Sequence, residues 1–423
     1  MSSLRIEANQ QAFRRLTEAD PVLVDVQRAG DVLPGMTAST VLTAGAPLPW
    51  DRYIAAQRKA ILFGAIHEGL AATVEEADDK IRAGEIRIGS THDHGCVGPH
   101  TGIYTASMPV FVVEDRKTGA RGHCNLFEGD GSPRRLSLGF YDEQIAAQLR
   151  FMENVVAPIL GEAVRRRGGL ALTPIIREAL LCGDDGHVRT TAGTMLFTRA
   201  LLSALLDLDR RADVRRTLDF LEKATYTFLR PWLAADKALI EGLSGLERSS
   251  LVTVMSLNCR ELAIQVSGLG HEWFRGPHPR FQGTIEGTWF DGSGRTPVPE
   301  GWGWFGADSL LAECLGFGGF AGAAAFALQS YYLPGSTQDI VARNLAMYDI
   351  TVGEHPVYRI PFFDHRGLPT GIDLFKVLET GTMPAINGSI AKMDGTGFTG
   401  GVVWPPIECF EAAAAAYRAR YGE

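Results

Sequence analysis

The sequence predicts an α+β protein of several domains, in which mixed α/β domains flank an inserted, mostly helical domain. Its 423 residues exceed the length at which a single hydrophobic core normally stops growing. Hydrophobic residues make up 45% of the chain and charged residues 21%, which is ordinary for a globular protein with large cores. The pattern becomes almost wholly helical near residue 142 and mixed again near residue 246. We therefore predict domains at residues 1–141, 142–246 and 247–423.

Strand and helix patterns alternate in the first predicted domain. The apolar run from Pro21 to Val26 predicts a strand, and the spacing of apolar residues after Asp51 predicts a helix that this aspartate caps. The run EEADDKIRAGEI predicts a second, more solvated helix that ends at Gly84. The runs SMPVFVVED and GARGHCNLF then predict further strands.

The two later domains differ in their periodicity. From Asp142 to about Leu246 the apolar residues recur at helical spacing almost throughout. After that, SLVTVMSLNCRELAIQVSGLG predicts a buried strand pair, and GFGGFAGAAAF predicts a glycine-rich entry to an apolar helix. The run IECFEAAAAAYRARY predicts a helix at the C-terminal end.

Net charge indicates which binding partners are excluded, and cysteine content indicates the redox compartment. A net charge of -8 argues against nucleic acid or an anionic membrane as the main partner, although it allows a local basic pocket for a small anion. The six cysteines are scattered without a CxxC pair, which suits a reducing compartment. The polar start MSSLRIEANQQAFRRL has no apolar signal region. We expect a cytoplasmic protein that needs no cofactor.

The loop GSTHDHGCVGPHTG, from Gly89 to Gly102, concentrates histidines among turn residues. Its HxH spacing lacks the specificity of HExxH, so it is weak evidence for a metal site. We favour a metal-free catalytic role for His92 and His94. A polar turn whose histidines bond to the backbone is the structural alternative, and a metal-dependent amidohydrolase using His92, His94 and His187 is the enzymatic one.

Two further segments place carboxylates beside other polar groups. Asn125 and Glu128 lie at the end of a predicted strand, and CGDDGHVRT brings Asp184 close to His187 and Arg189. A carboxylate next to a histidine can tune a general base, and an arginine at a helix start suits a phosphate or carboxylate. The alternative is an acidic loop that only caps the following helix.

Glycine clusters predict places where backbone N–H groups approach an anion. Gly268 follows a predicted strand, and Gly318 and Gly319 precede an apolar run. Neither cluster matches GxxxxGK[ST] or a GxGxxG that follows a strand, so no nucleotide-binding motif is assigned. Close helix packing is the competing explanation for these glycines.

Several blocks together resemble the YahG/YlbE-like bacterial family, from about Pro21 to the C-terminal helix. They are PLPWDRY, HDHGCVGPHTGIYTASMPVFVVE, CGDDGHVRT, QVSGLGHEWF and a long segment that starts at VGEHPVYRIPFFDHRG. One branch of that family is the AllG-type subunit of oxamate carbamoyltransferase. The resemblance therefore implies an α+β fold with an inserted helical domain. It also implies carbamoyl transfer between a small ureido or oxamate-type compound and phosphate, with carbamoyl phosphate as the other carbamoyl carrier.

The resemblance also implies partners, and the family's recurrent polar positions match part of the candidate site. It implies an FdrA-like partner protein and allows a third subunit, and we expect a homo-oligomer. The predicted catalytic residues are His92, His94, Glu128, Asp184 and His187. The predicted substrate- or phosphate-binding residues are Asn125, Arg189, Asn258, Gln265, Ser267, Gly268, Gly318, Gly319, Glu354, His355, Asp364, Arg366 and Asp373.

The S-x-R-T-R phosphate motif of aspartate and ornithine transcarbamylases is absent from the chain. A carbamoyl phosphate site would therefore be built differently, from glycine N–H groups with Arg189 or Arg366. A non-catalytic subunit that supports an FdrA-like partner is the third hypothesis.

Overall fold

A computed structural model describes residues 3–129, 134–330, 334–394 and 396–422. Helices and strands alternate through it, so the predicted α+β class is confirmed. The α-helices are α1 (Ser3–Thr17), α2 (Ala29–Val32), α3 (Ala55–His67), α4 (Val74–Arg82), α5 (Glu143–Phe151), α6 (Ala157–Arg166), α7 (Thr173–Leu181), α8 (Thr191–Leu206), α9 (Arg211–Lys223), α10 (Leu229–Glu241), α11 (Leu311–Cys314), α12 (Thr337–Ala346), α13 (Leu374–Thr380) and α14 (Ile407–Tyr421).

The strands are numbered in the same way. They are β1 (Pro21–Arg28), β2 (Thr40–Thr43), β3 (Arg87–Ser90), β4 (Cys96–Val97), β5 (Pro109–Asp115), β6 (Arg121–Asn125), β7 (Leu170–Ala171), β8 (Val252–Leu257), β9 (Leu262–Val266), β10 (Phe274–Gly276), β11 (Arg280–Ile285), β12 (Thr288–Asp291), β13 (Trp302–Gly303), β14 (Thr351–Ile360), β15 (Arg366–Ile372), β16 (Ile386–Lys392) and β17 (Phe398–Trp404).

The first sheet has the strand order β4-β6-β5-β1-β7 and is antiparallel except between β4 and β6. Helix α6 packs on β1, and helix α10 packs on β5 and β6. The approach of α10 is close at Gly122, where an added Cβ would lie 2.2 Å from the carbonyl oxygen of Ala234. Glycine at this position therefore lets a helix backbone lie directly against the sheet.

The C-terminal part contains two main antiparallel sheets. Strands β8 and β9 pair as predicted, every residue of both is buried, and β10 extends them in the order β10-β9-β8. The larger sheet has the order β12-β11-β17-β16-β13. A parallel pair of β2 with β3 and a hairpin of β14 with β15 complete the described strands.

The segment from residue 143 to residue 241 is mainly helical, as the apolar spacing predicts. Its short strand β7 nevertheless pairs with β1 of the first predicted domain. One hydrophobic core runs from Ala12 to Tyr417 and includes residues of all three predicted domains. The division at residues 141 and 246 therefore stays a prediction.

Two local predictions are wrong. Helix α3 begins at Ala55 after Ile54, and the Asp51 carboxylate instead accepts a hydrogen bond from Arg82 Nη1 at 2.6 Å. The run that starts at Gly318 forms a 3-10 helix instead of opening an α-helix, because its N–H groups bond to other parts of the fold. In the part of the chain that the structure describes, no helix combines the length and apolar character needed to cross a membrane.

Candidate active site

A cavity of about 220 Å³ lies among the loop that precedes α8, the start of α10, the segment before α11, and strands β16 and β17. Much of its wall is aromatic, with the rings of Phe127, Tyr226, Trp304, Phe305 and Phe398. Its polar side chains are His100, Arg135, His187, Arg230, Ser309 and Ser389. An apolar pocket with a few convergent polar groups is the usual form of a small-molecule site.

Three buried side chains form a hydrogen-bonded chain at the cavity wall. The Oγ atom of Ser309 lies 2.9 Å from Nε2 of His187, and Nδ1 of the same ring lies 2.9 Å from Oε1 of Glu313. That glutamate oxygen also accepts the N–H groups of Gly319 and Asn387, at 3.1 and 3.0 Å. Three hydrogen bonds to Oε1 thus fix the Glu313 carboxylate, which can orient the imidazole.

The local backbone explains why these three residues meet. Ser309 lies two residues before the short helix α11 and Glu313 lies within it, and the side chains of both contact the ring of His187. His187 lies in a tight turn whose N–H groups at residues 187, 188 and 189 all donate to Asp185 Oδ1, at 2.9 to 3.0 Å. Asn387 Nδ2 donates to the other oxygen of Asp185 at 2.8 Å. The turn therefore holds His187 against α11.

Electrostatics favour proton binding by His187. Burial alone lowers the pKa of this imidazole, but the charge and hydrogen bond of Glu313, together with the charge of Asp185, raise the pKa above its ordinary value of 6.5. Glu313 is therefore suited to stabilise a proton on the His187 imidazole.

Arg230, near the start of α10, is the most unusual charged residue of the wall. It is 2% exposed, its Nη1 donates to Asn125 Oδ1, and its Nε has no acceptor among the described residues. The described residues also contain no ion pair between Arg230 and a carboxylate. A buried cation without a counter-charge is costly, so this guanidinium is suited to bind an anion.

Arg135 and His100 complete the polar wall. The guanidinium groups of Arg135 and Arg230 lie 5.1 and 5.6 Å from the ring of Phe127, so one aromatic ring contacts both cations. His100 has a φ of 58° and stacks on Phe305 with ring centroids 5.6 Å apart. Burial, and then the charges of Arg135 and Arg230, lower the pKa of His100 well below its ordinary value. This imidazole is therefore neutral and offers one donor and one acceptor.

Asp308 ties the segment before Ser309 to the rest of the fold. Its fully buried carboxylate accepts the N–H groups of Gly45 and Gly98, at 2.9 and 3.1 Å, and the hydroxyl groups of Thr91 and Ser256. The histidine-rich loop is thereby joined to the wall of the cavity. The loop also reaches the cavity directly at Pro99 and His100.

His92 and His94 do not line the cavity. His92 is 1% exposed, and its Nε2 lies 3.6 Å from Asp308 Oδ1. Burial, with the nearby charges of Lys237 and His271, lowers the pKa of His92 well below its ordinary value. The Nδ1 atom of His94 lies 2.6 Å from the carbonyl oxygen of Pro34, which anchors the loop. The contact of His94 fits the alternative of a histidine-stabilised turn, whereas neither ring nitrogen of His92 has a hydrogen-bond partner among the described residues.

Glu128 and Asp184 also lie outside the cavity. The Glu128 carboxylate accepts the N–H of Ser137 at 3.1 Å. The buried Asp184 carboxylate accepts the N–H groups of Ala192 and Gly193, at 3.2 and 2.7 Å, and so caps the start of α8. Burial raises the pKa of Asp184 from 3.8 to about 7. The geometry fits the capping alternative for this aspartate.

Four of the predicted binding residues bond to backbone oxygens or N–H groups away from the cavity. Arg189 Nε donates to Gly183 O, Gln265 Nε2 to His271 O and Ser267 Oγ to Leu243 O, at 2.7 to 3.1 Å. The side chain of Asn258 donates to Ala46 O and accepts the N–H groups of residues 260 and 261. Asn125 differs, because it contacts Arg230 directly behind the cavity wall.

The predicted anion-binding glycines use their N–H groups inside the fold. The N–H of Gly268 donates to Ser249 O and that of Gly318 to Asp185 O, both at 2.8 Å, and the N–H of Gly319 donates to Glu313. An added Cβ at Gly318 would lie 2.0 Å from Glu313 Oε1. Close packing therefore explains these glycines, and the phosphate role predicted for their N–H groups is not supported by the geometry.

The β14–β15 hairpin contains most of the other predicted binding residues, away from the cavity. Glu354 and Arg366 form an exposed ion pair at 2.8 Å, and Asp364 occupies the exposed turn with a φ of 50°. His355 accepts the N–H groups of residues 357 and 358, and burial lowers its pKa to about 3. Asp373 caps α13 by accepting the N–H of residue 375. Asp373 also accepts hydrogen bonds from Asn9 Nδ2 and Ser250 Oγ, at 3.0 and 3.1 Å, so these residues stabilise the hairpin and its contacts with the rest of the fold.

The metal hypothesis receives no geometric support. Residues 3–129, 134–330, 334–394 and 396–422 contain no group of three or more His, Cys, Asp or Glu side chains that could hold a metal ion. His187 contacts Ser309 and Glu313, whereas His94 contacts the Pro34 carbonyl. The three histidines of the proposed metal-dependent amidohydrolase are therefore not arranged as a ligand set.

Sequence reasoning located His187 but missed Arg135, Arg230, Ser309 and Glu313. Two of these carry a signal that could have been used. Glu313 interrupts the apolar run SLLAECLGFGGF, and Arg230 is the second residue of the mostly apolar helix LRPWLAADKALIE. A charge inside such a run must either be paired or serve a site, because its burial is costly.

The fold and the cavity thus define a mixed α/β protein with a candidate active site for a small anion. The family model described as oxamate carbamoyltransferase subunit AllG matches residues 86–297. "Uncharacterized protein YahG" of Escherichia coli (strain K12) is 35% identical over 98% of this chain and 86% of its own length. "Oxamate carbamoyltransferase subunit AllG" of the same strain is 32% identical over 96% of both chains.

A solved structure is similar over its whole length. The crystal structure of a conserved protein of unknown function from Enterococcus faecalis V583 has a TM-score of 0.92, with 33% identity and 98% coverage of both chains. The chain belongs to the YahG/AllG-like family, and the family resemblance in the sequence is confirmed.

Proposed function

We propose that this protein is a subunit of a carbamoyltransferase that moves a carbamoyl group between a small oxamate-type or ureido compound and phosphate. Its family supports this class of reaction, since one relative is named as a subunit of oxamate carbamoyltransferase. The observation that carries the proposal is Arg230, a buried guanidinium on the cavity wall without a carboxylate partner among the described residues.

Oxamate, carbamoyl phosphate and phosphate are all small anions. A guanidinium group binds a carboxylate or a phosphate through two parallel N–H bonds, which fixes the anion's orientation as well as its position. Arg230 and Arg135 both lie near the ring of Phe127 in a cavity of about 220 Å³, a size that suits such compounds. The same wall can therefore bind either anion of the reaction.

Carbamoyl transfer also requires movement of a proton. The amide nitrogen of an oxamate-type acceptor is a weak nucleophile, and it must lose a proton as it bonds to the carbamoyl carbon. His187 can accept this proton at Nε2, since Glu313 holds the opposite nitrogen at 2.9 Å and stabilises the imidazolium. In the opposite direction the same imidazole returns the proton to the leaving nitrogen.

A multi-subunit enzyme is part of the proposal. The related E. coli protein is named as a subunit, which supports assembly with other chains. An FdrA-like protein is the partner that we propose from the family resemblance, with room for a third subunit and for self-association. A purely supporting role for this chain would leave Arg230 and His187 without an effect on turnover.

Binding of oxamate to the purified full chain, measured by calorimetry, tests the proposal. We expect Arg230→Gln to weaken oxamate binding about tenfold or more, because a hydrogen bond to a charged group contributes about 1.5–3 kcal/mol. Arg215→Gln is the matched control, since this arginine side chain is 82% exposed on α9.

Two results would contradict the proposal. One is equal oxamate affinity of the wild-type chain and Arg230→Gln. The other is a loss of affinity in Arg366→Gln, which removes the hairpin arginine predicted from the sequence, without a loss in Arg230→Gln. Thermal unfolding of each variant verifies that a change in binding does not follow from misfolding.

A further inference from the structure

We infer that Ser309 is a catalytic nucleophile that receives the carbamoyl group, so that transfer passes through a carbamoyl-serine intermediate. The inference rests on the proposed function and adds to it a catalytic residue and the sequence of the chemical steps. The substrate class is a carbamoyl group joined to a good leaving group, such as carbamoyl phosphate.

The arrangement of Ser309, His187 and Glu313 is that of an activated hydroxyl. Nε2 of His187 lies 2.9 Å from the Ser309 hydroxyl, and the carboxylate of Glu313 holds Nδ1 at 2.9 Å. Nucleophile, base and orienting carboxylate thus follow in the order found in enzymes that use a serine nucleophile. Ser389 lies on the same cavity wall but has no hydrogen bond to a histidine among the described residues.

The backbone next to Ser309 can stabilise the negative charge of a tetrahedral intermediate. Within the described residues, the N–H groups of Ser309 and Leu310 donate to no backbone oxygen, although both residues line the cavity. N–H groups at and beside a nucleophile are common donors to an oxyanion. Asp308, the residue before Ser309, accepts the N–H groups of Gly45 and Gly98 with its carboxylate. These bonds hold the segment that carries Ser309 in place before substrate binds.

The size and charge of the cavity favour transfer in two steps. Phosphate and an oxamate-type acceptor are both anions, and they would repel each other in a cavity of about 220 Å³. A carbamoyl-serine intermediate lets phosphate leave before the acceptor binds. Arg230 can then bind first one anion and then the other.

Each of the two steps forms one bond to the carbamoyl carbon and breaks another. In the first, Ser309 Oγ bonds to the carbamoyl carbon and its proton moves to His187 Nε2, while the carbon–oxygen bond to phosphate breaks and phosphate leaves with that proton. In the second, the acceptor nitrogen bonds to the same carbon and gives its proton to His187. The carbon–Oγ bond breaks, and the proton passes to Ser309 Oγ, which restores the hydroxyl group.

Isotope exchange without an acceptor tests this inference. The enzyme, purified as the complex it forms in its own cells, is mixed with carbamoyl phosphate and isotope-labelled phosphate in the absence of oxamate. We expect label to enter carbamoyl phosphate in the wild-type enzyme, because the first step is reversible. Ser309→Ala should reduce this exchange at least a hundredfold, whereas Ser203→Ala, which changes an exposed serine of α8, should leave the exchange rate unchanged.

Further measurements separate the outcomes. Peptide mapping of wild-type enzyme quenched with carbamoyl phosphate should place the added carbamoyl group on Ser309, and circular dichroism should verify that Ser309→Ala is folded. Net transfer to oxamate without phosphate exchange, or exchange that persists in Ser309→Ala, would overturn the covalent step and leave the proposed function intact. Serine-dependent exchange without transfer to oxamate would support the covalent step and contradict the acceptor in the proposed function.

Discussion

Two histidines with similar sequence surroundings differ sharply in what their rings contact. His94 lies beside an aspartate in a glycine-rich loop, and its ring bonds to the carbonyl oxygen of Pro34. His187 also follows aspartates in a glycine-rich loop, but its ring joins the Ser309 hydroxyl to the buried Glu313 carboxylate. Only His187, of these two histidines, connects a hydroxyl group at the cavity, that of Ser309, to a carboxylate that can stabilise a proton on the ring.

The pH dependence of turnover tests the His187–Glu313 pair. Because Glu313 helps to raise the pKa of His187, the base form of the imidazole is lost at a higher pH than for an ordinary histidine. We predict that Glu313→Gln shifts the acid side of the kcat/KM profile to lower pH and lowers the maximum rate about tenfold or more. Steady-state rates across the pH range measure both changes.

A structural role for Glu313 would lower the rate without moving the profile, and that result would contradict the prediction. His94→Ala is the matched histidine control. It removes one hydrogen bond at the loop surface and is expected to cost about 1 kcal/mol of stability while the pH profile stays in place.

The partners of His187 could not be predicted from the sequence, because they lie far from it along the chain. The hydrogen bonds of His187 to Ser309 and Glu313 join residues that are 122 and 126 positions apart. Local patterns can mark a histidine near carboxylates as a candidate base, and they did so for His187. They contain no information about which distant serine or glutamate the fold brings to it.

Among the structural elements, the loop before α8 is the one that most directly positions the candidate site. Asp184 points its carboxylate at the N–H groups of α8, and Asp185 holds the turn that carries His187. Of these neighbouring aspartates, Asp184 therefore caps helix α8 and Asp185 shapes the cavity wall. The loop CGDDGHVRT thus contains both the aspartate that caps α8 and the predicted base, His187.

The raised pKa of Asp184 predicts a pH-dependent stability. Burial raises this pKa from 3.8 to about 7, so between these values the unfolded chain has lost a proton that the folded chain still binds. The free energy of unfolding contributed by Asp184 must then fall as pH rises from about 4 to about 7, by a few kcal/mol. We predict that Asp184→Asn gains stability relative to the wild type across that range, as measured by denaturant unfolding.

The control for this prediction is Asp219→Asn, because that aspartate has a 56% exposed side chain on α9. A difference between wild type and Asp184→Asn that stays constant from pH 4 to pH 7 would show that the prediction is wrong.

Elements with a clear apolar period were predictable, and elements set by close packing were not. The β8–β9 pair and the helices from α5 to α10 follow their apolar spacing. The glycine run at Gly318 has no such period, and its conformation depends on hydrogen bonds to the distant turn at Asp185. The start of helix α3 at Ala55, and not directly after Asp51, likewise depends on contacts outside the helix.

For the whole molecule, the cavity is the place where the three predicted sequence regions meet. Arg135 comes from the first region, His187 and Arg230 from the helical one, and Ser309 from the last. The hydrophobic core is continuous across the same regions. The net charge of -8 does not exclude an anion-binding site, because the buried Arg135 and Arg230 make the cavity wall locally basic within an acidic protein.

A crystal structure of the protein with oxamate, at a concentration that saturates binding in solution, tests the central claim most directly. We predict that the oxamate carboxylate lies within hydrogen-bonding distance of the Arg230 guanidinium and that its amide nitrogen faces His187 and Ser309. Oxamate bound at the Glu354–Arg366 hairpin or at the N–H groups of Gly318 and Gly319, with no oxamate at Arg230, would contradict the account.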